Sequence, residues 1–411
     1  MATIKPFKAI RPAADKVAHV ASRSYEDYSN DELKAVLRYN PFSFLHIINP
    51  GFKFSKKVTG EERFKLVRNR YLEFLEEKVL IKDSEASFYI YQVNKNGFQC
   101  CGIFCATSVQ DYRDNYIKKH ENTIESRERL FAQYLQTVKF NAEPVLITYP
   151  DDPAISKIIQ TIKEQVPEYH FTTTNRSTHH LWKVSDKKII QKLQEAFSRI
   201  EALYIADGHH RSASSELLAK WQQESNPKHT GEEAYNHFMS YLIPESEIKI
   251  YEFNRMVKDL NGHSKESFLV KLDEFYRIKK LEHDLYKPTK KHHFSMYLDG
   301  EFYSLYLRKK AVTFTDPLSK LDTQILYKTI LEPILDIKNL RNDKRIQYGY
   351  GKHNVLKMKN DIDKGLFAVG FNMLPITMEE IKAIADAQLV MPPKSTFIEP
   401  KLRSGLTIYE L

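Results

Sequence analysis

Asp207-Gly208-His209-His210-Arg211 places a carboxylate, two imidazoles and a guanidinium within five consecutive residues. The run before it, Leu203-Tyr204-Ile205-Ala206, is apolar. After it, Ala213, Leu217, Leu218 and Trp221 fall on one helical stripe. That pattern predicts a strand turning directly into a helix. A helix N-terminus offers backbone N–H groups and the positive end of its dipole, and both favour an anion. With His209, His210 and Arg211 beside Gly208, the anion that fits best is phosphate, whose oxygens match a guanidinium fork. The same residues also suit a plain turn whose His and Arg side chains cap neighbouring carbonyls.

Two further constellations carry weaker signals. His120-Glu121-Asn122-Thr123 is followed by Arg127 and Arg129. A carboxylate beside cations stays ionised and can act as general base toward a substrate hydroxyl; the same residue types are ordinary at the start of a solvated helix. In Met391-Pro392-Pro393-Lys394-Ser395-Thr396-Phe397-Ile398-Glu399-Pro400-Lys401, two prolines hold an extended backbone. That backbone presents Lys394, Ser395 and Thr396 in order, a set suited to phosphate or a substrate carboxylate. A rigid strand entry with an exposed lysine has the same signature.

Other chemistries are excluded by missing patterns. Gly349, Gly351 and Lys352 resemble a phosphate loop only superficially, because no G-x-x-x-x-G-K-[ST] occurs. There is no H-E-x-x-H, and His179-His180 and His292-His293 have no carboxylate or thiolate at ligand spacing. No G-x-S-x-G marks a serine nucleophile.

The elements that must position these residues follow from periodicity. The 411 residues can bury one large core or two to three ordinary ones. The expected organisation is an N-terminal α+β region over 1–110, a phosphate-binding core over 111–230 and a C-terminal α+β region over 231–411. Helices are expected near 30–38, 61–77, 126–138, 264–276, 323–331 and 378–386. A strand is expected over 248–254, and hairpins around Asn94–Gly97 and Asp299-Gly300. Between Ile155 and Tyr204 the alternation of helix and strand predicts parallel α/β packing.

Hydrophobic content of 42% and charged content of 28% are those of a water-facing globular chain. No apolar run approaches the roughly 18 residues that span a bilayer. The start, Met1-Ala2-Thr3-Ile4-Lys5-Pro6-Phe7, has no signal-peptide core. Three clustered cysteines (Cys100, Cys101, Cys105) make no disulfide framework, so a reducing cytoplasm is expected. The net charge of +9 suits nucleic acid or phosphorylated small molecules alike. Its lysines are scattered, without a basic stripe or helix-turn-helix partner, so small-molecule substrates are expected and neither nucleic acid nor membrane.

The order His120-Glu121, Glu143-Pro144-Val145-Leu146, then Ile205 to Arg211 resembles the ParB/sulfiredoxin-like superfamily. Its free serine kinase members carry an acidic residue before a Pro-led strand and a D-G-H-H-R phosphate loop. More closely, the whole chain resembles the family called domain of unknown function 1015. The matching landmarks run from Lys5-Pro6-Phe7 and Asn40-Pro41 through Phe253-Asn254-Arg255 to the M-P-P-K-S-T run ending at Thr396.

The resemblance implies an α/β (α+β) fold: a ParB/sulfiredoxin-like core carrying the turn, elaborated by N-terminal and C-terminal α+β regions. It implies a pyrophosphate-dependent kinase making O-phospho-L-serine from L-serine. Glu121 is then the general base, with His120 and Asp207 as catalytic partners. Gly208, His209, His210 and Arg211, joined by Arg127 and Lys394, would bind phosphate, and Thr123, Ser395 and Thr396 the substrate. Mg²⁺ would bridge phosphate oxygens with Asp207 as its ligand. Lack of a Walker motif and the compactness of the His/Arg turn favour pyrophosphate over ATP. The alternatives are a ParB-like protein that binds nucleic acid or hydrolyses nucleotides, and a nucleotide-dependent serine kinase. A sulfiredoxin-like reductase would need a cysteine where His209 and His210 stand. The chain departs from many relatives at Ser22-Arg23-Ser24-Tyr25-Glu26-Asp27, where they carry Pro-Pro-Tyr-Asp; if that segment lines the site, substrate or donor choice differs.

Overall fold

Apolar stretches flanked by turn residues give the first unit nine strands in one mixed sheet. The computed structural model describes residues 3–54, 58–282, 285–351 and 354–411. Its contacts divide the chain into two units. The first comprises Met1–Lys119, Thr123–Ile248 and Pro400–Leu411; the second comprises His120–Asn122 and Lys249–Glu399. The architecture is mixed α/β.

The strands of this sheet are β1 (Ile4–Lys5), β2 (Phe88–Lys95), β3 (Phe98–Ser108), β4 (Ile117–Lys118), β5 (Val145–Tyr149), β6 (Tyr169–Thr172), β7 (Thr178–Val184), β8 (Leu203–Asp207) and β9 (His237–Pro244). They lie in the order β4-β8-β5-β9-β3-β2-β7-β6, with β1 on β3. Asn96 and Gly97, both at positive φ, turn β2 into β3 as the Asn-Gly pair predicts. The parallel packing expected between Ile155 and Tyr204 is not what forms. β6 and β7 pair antiparallel, and β8 runs antiparallel to β5. The connection 173–177 is too short for a crossover, so it can only return the chain antiparallel. The parallel pairs are β4 with β8 and β5 with β9.

Five helices matter to this sheet: α1 (Gly60–Glu76), α2 (Glu125–Val138), α3 (Pro153–Lys163), α4 (Lys187–Phe197) and α5 (His209–Ser225). Asp152 and Asp186 start α3 and α4 by accepting hydrogen bonds from the first-turn backbone N–H groups. Their apolar stripes, including Ile155, Ile159, Ile190 and Leu193, close over Ile90, Ile103, Ile147 and Ile205 of the sheet. This packing makes the sheet a rigid platform for the segments at its ends.

The second unit has an all-antiparallel sheet of β10 (Asn254–Val257), β11 (Tyr276–Leu281), β12 (His293–Leu298), β13 (Glu301–Leu307), β14 (Ile346–Gly349) and β15 (Val369–Asn372), in the order β11-β13-β12-β15-β10-β14. Asp299 and Gly300 make the expected hairpin. Helix α6 (Lys265–Asp273) contributes Phe268 and Leu272 to a core with Phe294 and Met296. Helix α7 (Asn354–Asp363) sets Met358 and Ile362 against Met256 and Tyr297. The expected strand over 248–254 is two strands: Lys249–Tyr251 pairs with Phe397–Glu399, and Asn254 begins β10. The expected helix over 323–331 is α-helical only over Asp322–Leu326 and continues as a π-turn over Tyr327–Leu331. Among the described residues, no helix is long and apolar enough to cross a membrane.

Candidate functional site

β4 and β8 lie side by side and parallel, with Leu203 opposite Ile117 and Tyr204 opposite Lys118. The chain leaving β4 after Lys118 and the chain leaving β8 after Asp207 therefore emerge at the same end of the sheet. The register of β8 on β5 shifts between Ile205 and Asp207. Such a bulge re-aims the side chain that follows it, here Asp207. Gly208 comes next at φ 103°, in the left-handed region. A Cβ on Gly208 would stand 3.0 Å from the Arg211 guanidinium, so glycine also leaves room for Arg211 to fold back. α5 then runs 17 residues from His209. Its N-terminus has no side-chain cap and no acidic residue in the first turn. The strand-turn-helix read from the sequence is present.

Charges converge on this turn. Arg211 Nη2 donates to Asp207 Oδ2 at 3.3 Å, and Arg211 Nη1 donates to the Pro144 carbonyl. Lys401 Nζ reaches the same Asp207 oxygen at 3.2 Å. Burial pushes the Asp207 carboxyl up, but Arg211 and Lys401 outweigh it and hold it below its ordinary value. His209 is buried. Burial, reinforced by His210, Arg211 and Lys119 and opposed by Asp207, pushes its pKa down to about 4. At neutral pH His209 is thus an uncharged imidazole able to exchange hydrogen bonds, beside the Arg211 guanidinium and the Lys401 ammonium that both reach Asp207. His210 is half-buried beside it. Lys119 lies over the Tyr112 ring, 4.1 Å from its centroid.

The remaining candidates separate into the two units. Thr123 and Arg127 belong to the first; the Thr123 hydroxyl donates to Glu128, and Arg127 is exposed on α2. In the second, His120 is buried and its carbonyl accepts from the Met391 N–H at 3.0 Å. The Asn122 carbonyl accepts from Arg341 Nη2 at 2.9 Å, with Glu121 half-buried between the two anchored residues. Lys394 adopts φ 56°, holds its ammonium 5.6 Å from the Phe253 ring centroid, and accepts at its carbonyl from Arg255 Nη2 at 3.1 Å. Ser395 is buried, its hydroxyl 2.6 Å from the Pro392 carbonyl and 3.2 Å from Thr323 Oγ1. Thr396 is half-buried.

Sequence reasoning missed two partners. Lys401 stands 194 residues from Asp207, beyond any spacing rule, although it closes the proline-led run that drew attention to Lys394. His292 does have a carboxylate: the buried Asp322, 30 residues away, accepts from its backbone N–H at 2.9 Å and lies 3.2 Å from its Nδ1.

The sequence profile of a family described as "Protein of unknown function (DUF1015)" matches residues 4–324, a stretch that contains both the H-E-x-T segment and the whole Asp207–Arg211 turn. The chain belongs to the DUF1015 family. No curated protein matches this DUF1015 chain. Among solved structures, a free serine kinase in complex with AMP is 12% identical, with 74% of this chain and 91% of that one covered at a TM-score of 0.36. A mutant free serine kinase in complex with ADP is 13% identical over the same shares, at 0.38. SbnI with a C-terminal truncation, from Staphylococcus aureus, is 12% identical over 74% and 85%, also at 0.38. Likeness at this level assigns no role to a residue of the DUF1015 chain; its site stands on its own geometry.

Proposed function

We propose that the protein is a kinase for free L-serine, built on a ParB/sulfiredoxin-like core and using pyrophosphate as donor. The observation that carries this reading is the turn itself: a long helix with no side-chain cap, entered through a left-handed glycine, with a guanidinium and an ammonium at its mouth. Helix N–H groups and a guanidinium fork together favour a phosphoryl group. The family resemblance supplies serine as the acceptor.

In this reading the serine hydroxyl oxygen attacks one phosphorus of pyrophosphate. The P–O bond to the second phosphate breaks, and inorganic phosphate leaves. Glu121 takes the hydroxyl proton, and His120 positions it. Gly208, His209, His210 and Arg211 hold the transferring group, with Arg127 and Lys394 as further phosphate contacts and Thr123, Ser395 and Thr396 on the acceptor. Little covalent work by the protein is required, since phosphoryl transfer is governed by positioning and charge.

Asp207 fits a Mg²⁺ ligand. Both cations contact its Oδ2, and a single carboxylate beside phosphate oxygens and water is a donor set that hard divalent ions accept. Bound there, Mg²⁺ would neutralise charge on the donor; orientation of the phosphoryl group still falls to Arg211 and the start of α5.

A product screen by mass spectrometry tests the reading. Serine, threonine and homoserine are each offered with pyrophosphate, ADP and ATP. Phosphoserine from pyrophosphate is expected. Phosphoserine from ATP alone overturns the donor, and no phosphorylated amino acid from any pairing overturns the kinase.

A further inference from the structure

The segment Pro400–Leu411 lies outside the 4–324 match to the family yet packs in the first unit with the turn. It is tied down along its length. Ser404 and Ser22 exchange backbone hydrogen bonds at 2.9 and 3.1 Å, and Ile408 and Ile10 do so at 2.8 and 3.0 Å. Tyr409–Glu410 pairs with Phe140–Asn141. The Ser404 hydroxyl donates to Glu143 Oε1 at 2.9 Å, next to the Pro144 carbonyl that holds Arg211. Gly405, at φ 76°, packs against Phe44, where a Cβ would lie 2.5 Å from the ring. A segment held this way delivers Lys401 to Asp207 as a fixed feature of the first unit.

The charge balance of the turn gives that delivery a purpose. Asp207 and Arg211 form an ion pair whose opposite charges cancel. A diphosphate carries several negative charges, and a cluster of zero net charge is poorly matched to it. Lys401 makes the cluster positive. Its ion pair with Asp207 is half-exposed, with side-chain exposures of 37% and 42%, and such pairs are weak enough to exchange partners readily.

We propose that Lys401 is a further phosphate-binding residue of this site: it leaves Asp207 Oδ2 for the second phosphate of a diphosphate whose first phosphate sits on Arg211 and the start of α5. This rests on the reading of the turn as a phosphate site and extends it to the donor's far end. The exchange frees an Asp207 oxygen as the ligand arrives. The Ser22–Ser404 bridge also ties the segment Ser22–Asp27 to the strap that carries Lys401.

Titration calorimetry of the full chain with inorganic pyrophosphate, with and without Mg²⁺, tests this. Lys401→Met is expected to weaken binding about tenfold or more, and Lys401→Arg to restore it to within about threefold, because the role requires a long cation. Thermal unfolding of both variants should match the original protein. Equal affinity in Lys401→Met overturns the proposal, and so does a Lys401→Arg variant as weak as Lys401→Met. If the original protein binds no pyrophosphate, the reading of the turn falls and this one with it. Tight binding unchanged by Lys401→Met removes Lys401 alone.

Discussion

The first unit contains two Asp–Arg clusters that look alike by residue type and differ in how their hydrogen-bonding capacity is used. Arg11 and Asp83 are nearly sealed from solvent, with side-chain exposures of 6% and 4%. Arg11 grips both carboxylate oxygens at 2.9 Å. Tyr89 Oη donates to Asp83 at 2.7 Å, Lys183 Nζ lies 3.0 Å away, and Tyr169 Oη takes Arg11 Nη1 at 2.7 Å. Every strong group there has an internal partner, which suits a joint that pins β2, β7 and the Ile10–Pro12 strand together. Arg211 and Asp207 instead share one contact at 3.3 Å and are exposed at 34% and 42%. A saturated network has nothing left for a ligand; a loosely paired one at a helix N-terminus does.

Substitutions in and around the two clusters can break that contrast. The largest effect is expected at Glu121, the proposed general base. Glu121→Gln keeps size and removes basicity, so turnover should fall roughly 10²- to 10⁴-fold with modest change in pyrophosphate affinity. Unchanged turnover in steady-state assays would remove Glu121 as the base. Next, Asp83→Ala leaves the Arg11 guanidinium buried without its carboxylate, which costs about 3–5 kcal/mol. Chemical denaturation should register that loss while pyrophosphate affinity of the folded protein stays put. If affinity drops and stability does not, the sealed cluster is the functional one and the contrast is inverted. A smaller effect is expected for Arg211→Lys, which keeps the charge and loses the fork. Its kcat/KM should fall about tenfold, or about 1.4 kcal/mol, with the melting temperature nearly unchanged. Full activity in this variant would assign Arg211 to the Pro144 carbonyl it already holds.

The turn was legible because its cause is local. An apolar run, a glycine and an amphipathic stripe lie within twenty residues or so, and each has one physical meaning. The hairpins at Asn96-Gly97 and Asp299-Gly300 were legible for the same reason. Strand direction was not: β8 pairs with β5 and β4, and nothing in Leu203–Asp207 names those partners. Nor was the arrival of Lys401, which depends on pairings at Ser22, Ile10 and Asn141 hundreds of residues earlier in the chain. The π-turn at Tyr327–Leu331 has the same apolar periodicity as an α-helix and differs only in hydrogen-bond register. The partner of Ser395 was not legible either: its hydroxyl donates to the Pro392 carbonyl, a local contact that residue types alone do not announce.

Buried histidines extend the contrast to pH. His179 is pushed down to about 3 and His237 to about 4, burial being the main cause in each; His209 at the turn is pushed to about 4 in the same way. His179 accounts for its burial structurally, with Nδ1 2.8 Å from the Tyr91 hydroxyl and its ring stacked 4.8 Å from Phe171. All three are neutral in the folded protein and titrate near 6.5 once unfolded, so the unfolded chain binds more protons between those values. Stability contributed by the neutral forms is therefore complete above about pH 6.5 and is lost as pH falls toward 4. By pH 5 each histidine should have given up about 1–2 kcal/mol. Thermal melts at pH 7 and pH 5 should differ by several degrees, and His179→Asn should narrow that difference without touching pyrophosphate affinity at pH 7. Equal melting temperatures at the two pH values would mean that these rings are hydrated or charged in the fold. A His179→Asn variant that loses pyrophosphate binding would join that region of the sheet to the open cluster and erase the distinction between a saturated site and a receptive one.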